Sequence, residues 1–123
     1  MEAGYNSHER SKLTFEEVCS NDLVYKVHLV FSGRARAVAL DALDDMAKTL
    51  AARDMKKQQM DTVRYGSPEY ASLAKTVRAL EGRLSVFQRR ATMAADCAHI
   101  KKEDLLRVLR DRYQAQMAAR QLH

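Results

Sequence analysis

The sequence predicts an all-α protein, and three observations support that prediction. The chain of 123 residues contains only four Gly and one Pro, which are too few turn residues for an all-β domain. It has no Trp and few other aromatic residues, so a core has to be built from Leu, Val, Ala and Met, as in helix bundles. A long apolar repeat has helical spacing. We therefore expect a three- to four-helix bundle or a helical hairpin, with one long heptad-patterned helix at about residues 67–98.

The apolar repeat identifies the long helix. Its members follow one another at alternating steps of three and four residues, which places them on one stripe of an α-helix, as in a coiled coil. They are Tyr70, Leu73, Val77, Leu80, Leu84, Phe87, Ala91, Ala94 and Ala98. The start of this helix is also marked, because Ser67 can cap it, Pro68 suits its first position and Glu69 places negative charge at the positive end of the helix dipole.

The stripe is our candidate protein-interaction site. We predict that helix–helix contact with other proteins is made by Tyr70, Leu73, Val77, Leu80, Leu84 and Phe87. The alternative is that the same side chains form the core of this chain itself.

The sequence predicts an N-terminal arm followed by one helical domain. Residues 1–12 are polar and aperiodic, which predicts a mobile arm, and residues 13–123 form the predicted domain. Thr14 and Glu17 fit a capping box, so a first helix is expected from Phe15. Its apolar face would comprise Phe15, Cys19, Leu23, Val27 and Val30. Residues 23–31 also alternate as a half-buried strand would, but no partner strand is evident, and we favour the helix.

Three further features complete the predicted bundle. A second helix begins near Arg34 and carries an apolar stripe that includes Leu43 and Leu50. Residues 65–68 form the clearest break and the expected hairpin corner. The heptad fails at Lys101, which predicts a short turn before a last helix that starts near Glu103 and Asp104. The apolar face expected there comprises Leu106, Leu109, Tyr113 and Met117, widened by Leu105 and Val108.

The charge is unevenly placed. The net charge is +5; residues 1–60 carry nine basic and nine acidic side chains, whereas residues 61–123 carry twelve and seven. A basic half can bind nucleic acid, an anionic membrane or an acidic protein, although a solvated helix face is the simpler interpretation. The candidate contacts to nucleic acid or to an acidic partner are Arg89, Arg90, Lys101 and Lys102.

Nothing in the sequence points to a reaction. Cys97 and His99 are two residues apart and lie on different faces of a helix, and the chain has no glycine-rich phosphate loop. We expect no catalytic residue, no metal and no cofactor. Cys19 and Cys97 are interpreted as free thiols, with a disulfide as the alternative. No signal peptide, transit peptide or membrane span is recognised, which favours the cytoplasm or the nucleus.

One segment resembles a known family. Ile100-Lys101-Lys102-Glu103-Asp104-Leu105-Leu106, continued by Leu109-Arg110-Asp111, resembles the second loop and third helix of histone-fold proteins. The long preceding helix and the Tyr65-Gly66 break resemble the initiation-factor and co-activator members of that group. The resemblance implies head-to-tail dimerisation with a second histone-fold chain and DNA contact through the basic loop.

The sequence therefore favours a non-enzymatic structural or adaptor subunit. Such a protein docks its amphipathic helices into a larger multiprotein complex through helix–helix packing. The alternative is a histone-fold-like, nucleic-acid-associated dimerisation module of the transcription or chromatin machinery, which we do not favour.

Overall fold

The computed structural model describes residues 22–121, and this part of the chain consists of four α-helices without a β-strand. The helices are α1 (Asp22–Ser32), α2 (Ala35–Met60), α3 (Pro68–Ala98) and α4 (Lys102–Gln121). The predicted all-α helical bundle with a long heptad-patterned helix is thereby confirmed. The predicted arm at residues 1–12 and the predicted helix start at Phe15 lie outside the described residues.

Residues 23–31 are helical, so the helix interpretation of this ambiguous segment is confirmed and the strand alternative is wrong. The helix stops at Gly33, which has φ of +68°. Glycine adopts this left-handed conformation without the steric cost that other residues incur, so the chain can turn there directly into α2.

Helices α2 and α3 form the hairpin predicted from the break at residues 65–68. Ser67 caps α3, because its Oγ accepts a hydrogen bond from the backbone N of Tyr70 at 3.1 Å. Pro68 is the first helical residue and Glu69 lies in the first turn, as predicted. Helix α2 continues to Met60 through residues 55–60, where the apolar pattern of the sequence fades.

The core lies between α2 and α3 and is built largely from alanine. Ala39, Ala42 and Ala47 of α2 and Ala94 of α3 are completely buried. Because these side chains are small, the two helix backbones can approach closely, and larger residues close the sides of the contact. One cluster adds Tyr25 and Leu29 of α1 together with Met93. A second cluster adds Leu43 and Met46 of α2, against which Leu84, Phe87, Leu105, Val108 and Leu109 pack.

Helix α3 ends where the heptad fails. His99 adopts φ of +58°, and the backbone N of Ile100 donates to the carbonyl of Ala95 at 3.0 Å, which is the pattern of a Schellman cap. Helix α4 then begins at Lys102, close to the predicted start at Glu103 and Asp104.

Helix α4 packs on α2. The guanidinium of Arg112 donates to the carbonyl oxygen of Leu40 at 2.8 Å, and the hydroxyl of Tyr113 donates to Asp54. Its inner side is rotated relative to the predicted face: Leu105 packs against the core, whereas Leu106 is 55 % exposed. The apolar band on this helix is wide, so spacing alone did not decide which of its edges would be covered.

Candidate protein-binding surfaces

The α1 outer face, which we define as Leu23, Val27, Val30 and Phe31, is the largest group of exposed bulky apolar side chains in the described chain. Leu23 is 72 % exposed, Val30 63 % and Phe31 86 %. Positions i, i+4, i+7 and i+8 lie on one side of a helix, so the four side chains form one continuous surface. Apolar patches of this kind are typical of sites that bind another protein.

The opposite side of α1 explains why this face points outward. Tyr25 and Leu29, four residues apart, are 5 % and 1 % exposed and pack against α2 and α3. The hydroxyl of Tyr25 accepts a hydrogen bond from Nε of Arg90 at 3.1 Å. An exposed ion pair between Lys26 and Asp96 at 3.5 Å adds little, because solvent screens it. Tyr25 and Leu29 therefore set the rotation of α1 about its axis.

The predicted interaction stripe of α3 lies in a different environment. Val77 is buried, and Leu84 and Phe87 pack against the second core cluster. Tyr70, Leu73 and Leu80 are half-buried. The described structure thus uses part of the stripe for contact within the chain and leaves the side chains nearest the hairpin corner partly accessible.

An apolar groove runs between α2, α3 and α4. Its volume is about 270 Å³. Leu43, Met46 and Leu50 of α2 contribute to its lining, together with Leu84 of α3 and Leu105, Leu106 and Leu109 of α4. The polar residues in the lining are Gln88, Thr92 and Lys102. We call this feature the α2–α3–α4 groove.

The four basic residues predicted to contact nucleic acid or an acidic partner do not share one environment. Arg90 is half-buried against Tyr25, while Arg89 is exposed on α3. Lys101 and Lys102 are exposed at the start of α4, and Lys102 also lines the groove. Of these four residues, Lys101 and Lys102 are the pair that is both adjacent in sequence and exposed.

Among residues 22–121, no group of three or more His, Cys, Asp or Glu side chains could hold a metal ion. Cys97 is half-buried, and Cys19 lies outside the described residues. None of the described helices is long and apolar enough to cross a membrane. The pKa of Tyr113 is raised, chiefly because its hydroxyl donates to the Asp54 carboxylate.

The sequence grouped three members of the α1 outer face but did not identify them as a binding surface. Leu23, Val27 and Val30 were expected on one face of the first helix, and Phe31 was not included. Its position eight residues after Leu23 was the signal that would have added it. The groove had no such signal, because it is formed by three helices distant in sequence. Comparison with protein families, curated proteins and solved structures found no match to this chain.

Proposed function

We propose that this protein is a non-enzymatic structural or adaptor subunit that binds another protein through the α1 outer face. The observation that carries the proposal is the exposure of Leu23, Val27, Val30 and Phe31 on one side of a short helix whose other side is firmly packed. A partner with a hydrophobic groove would receive this face in the helix-in-groove mode. We propose the cytoplasm or the nucleus as its compartment.

The α1 outer face offers apolar area that a partner can bury. Complete burial of a Leu, Val or Phe side chain contributes about 1.5–3 kcal/mol, and the side chains of the α1 outer face keep much of their area in water in the free protein. Loss of translational and rotational freedom offsets a large part of this gain. The net affinity then depends on how completely the partner surrounds Phe31, which at 86 % exposure has the largest exposed fraction of the four.

The half-buried part of the α3 stripe is a second contact region in this proposal. Tyr70, Leu73 and Leu80 would extend a helix–helix interface toward the hairpin corner, where the ring centroids of Tyr65 and Tyr70 are 5.0 Å apart. Because these side chains are already partly buried, they offer a partner less apolar area than exposed ones do. They therefore suit a supplementary contact better than a primary one.

A nucleic-acid-associated role is the second candidate function. The observation that favours it is the exposure of both Lys101 and Lys102 beside the turn that resembles a histone-fold loop. Binding of this type depends steeply on salt, because contacts to phosphates release counterions.

The test is affinity purification of the tagged full-length protein from its native cells, with and without nuclease, read by mass spectrometry. The double variant Leu23→Asp/Val30→Asp places two charges on the α1 outer face. The matched control Ala71→Asp/Ala79→Asp adds the same two charges at exposed positions of α3. Circular dichroism should show the same helicity for all three proteins.

We expect a set of partner proteins that survives nuclease, is retained by the control and is lost by the α1 variant. Partners that the α1 variant retains would contradict the proposed surface. Partners that disappear with the nucleic acid would favour the second candidate and its basic loop.

A further inference from the structure

The α2–α3–α4 groove has its charged residue, Lys102, at one end, and polar Gln88 lies about midway along its α3 side. Thr92 is close to the C-terminus of α3 and Lys102 is the first residue of α4, so both lie where these helices are joined. Leu84 precedes Thr92 by two helical turns and Leu109 follows Lys102 by two turns, in the antiparallel direction. At 1.5 Å per residue, the two ends are roughly 12 Å apart.

Charge and polarity specify the chemistry of an occupant. Lys102 is the charged residue of the lining, and its ammonium group lies at the end of the groove where α3 and α4 are connected. The Thr92 hydroxyl donates to the carbonyl of Gln88 at 2.9 Å, and the ammonium group of Lys102 is the charged donor of the lining. Leu50, Leu84 and Leu109 offer only apolar surface at the other end. An occupant that matches both ends has an anionic head and an aliphatic tail.

The groove volume indicates the size of the occupant that would fill it. An apolar cavity of about 150 Å³ holds a six-carbon ring such as benzene. By the same ratio, the groove volume of about 270 Å³ accommodates roughly ten carbons. The α3–α4 connection lies at the Lys102 end of the groove.

We propose that the α2–α3–α4 groove binds a free aliphatic carboxylate of medium chain length, with its carboxylate at Lys102 and its chain directed toward Leu84 and Leu109. This inference concerns a surface separate from the α1 outer face and goes beyond the proposed function. The apolar chain provides most of the affinity, while the ion pair orients the ligand, since an exposed ion pair contributes little by itself.

The test is titration of the full-length protein with sodium hexanoate, octanoate, decanoate and dodecanoate below their micelle concentrations. Binding is followed by the NMR signal of the Met46 methyl group, which lies in the groove. We expect affinity to rise roughly fourfold for each added methylene up to about ten carbons and then to level off. Methyl signals of Leu23 on the α1 outer face should not move, which separates specific binding from adsorption to exposed apolar surface.

Two lysine variants test the orientation. Lys102→Gln should weaken decanoate binding about two- to fivefold and leave decanol binding unchanged. Lys101→Gln is the matched control, since Lys101 is exposed but does not line the groove, and its effect should be smaller. Equal effects of the two variants, the absence of a Met46 shift, or an affinity independent of chain length would overturn the proposal. A Met46 shift that depends on protein concentration without ligand would instead assign the groove to a second copy of the chain.

Discussion

At the scale of single residues, Tyr113 and Asp54 form the most informative polar contact between α4 and α2. The Tyr113 hydroxyl donates to the Asp54 carboxylate, which also pairs with the adjacent Arg53 at 3.0 Å. The carboxylate stabilises the neutral phenol, and partial desolvation acts in the same direction, so the pKa of Tyr113 is raised above its ordinary value of 10.0. The stability of the contact between α4 and α2 therefore depends on pH in the alkaline range.

Replacing Tyr113 by Phe should lower the free energy of unfolding by about 1 kcal/mol at neutral pH, because the hydrogen bond is lost. The contribution of this bond is fully present below pH 10.0, the ordinary pKa of the phenol, and is lost as the pH rises through the higher folded-state pKa. Urea denaturation at a series of pH values should show the wild type losing its advantage over Tyr113→Phe above that point.

Two further variants serve as controls for this contact. Asp54→Asn should return the pKa of Tyr113 toward its ordinary value, as measured by phenolate absorbance. Tyr65→Phe should alter stability less, because Tyr65 is 83 % exposed. An unchanged advantage of the wild type at all pH values would contradict the assignment.

At the scale of elements, the start of α3 shows how local chemistry defines a helix boundary. Ser67, Pro68 and Glu69 act within a few residues of one another, so their effect was visible in the sequence. The end of α2 was not visible, because the apolar pattern fades through residues 55–60. This stretch does contact α3, because Nζ of Lys57 lies 3.9 Å from Oε2 of Glu81. Such an exposed ion pair contributes little to stability.

Substitution of Ser67 by Ala should reduce the free energy of unfolding by about 1 kcal/mol, the usual effect of removing a helix cap. The Tyr70 backbone N–H would then lose its acceptor. Thermal denaturation followed by circular dichroism measures the change.

Ser85→Ala is the matched control in the same helix. Its hydroxyl donates to the carbonyl of Glu81 at 3.3 Å, within a helix that already satisfies that carbonyl, and Ala has the higher helix propensity. We expect no loss of stability there. A similar loss in both variants would mean that the cap is not responsible.

At the scale of the whole molecule, α2 is the helix against which both α3 and α4 pack. Helix α1 packs chiefly on α3 and touches α2 through Ala35 and Ala39 in the first core cluster. The α3 stripe therefore contributes to the bundle itself through Leu84 and Phe87. A substitution on the α3 stripe should therefore affect folding, whereas a substitution on the α1 outer face should affect only binding.

The double variant Leu80→Asp/Leu84→Asp should lose most of its helical circular dichroism. It places charges where Leu84 packs against the second core cluster, and the cost of about 3 kcal/mol or more is a large part of the stability of a small domain. The control Leu23→Asp/Val30→Asp should remain helical, because both side chains are mostly exposed. If the stripe variant stays helical and loses only association, the stripe is an interface and not a core.

The sequence by itself determined the helical class, the corner before Pro68, the cap at Ser67 and the short turn after Ala98. Each depends on residues that are close together in the chain, so local propensity and spacing are sufficient to predict it.

The tertiary structure decided which apolar faces are covered. Spacing placed Leu23, Val27 and Val30 together, but only the packing of Tyr25 and Leu29 on α2 and α3 turned that face outward. Likewise, the groove exists because α3 and α4 both pack on α2. Periodicity fixes which side chains share a face. Whether that face meets water or another helix depends on the free energy of contacts between residues far apart in the chain.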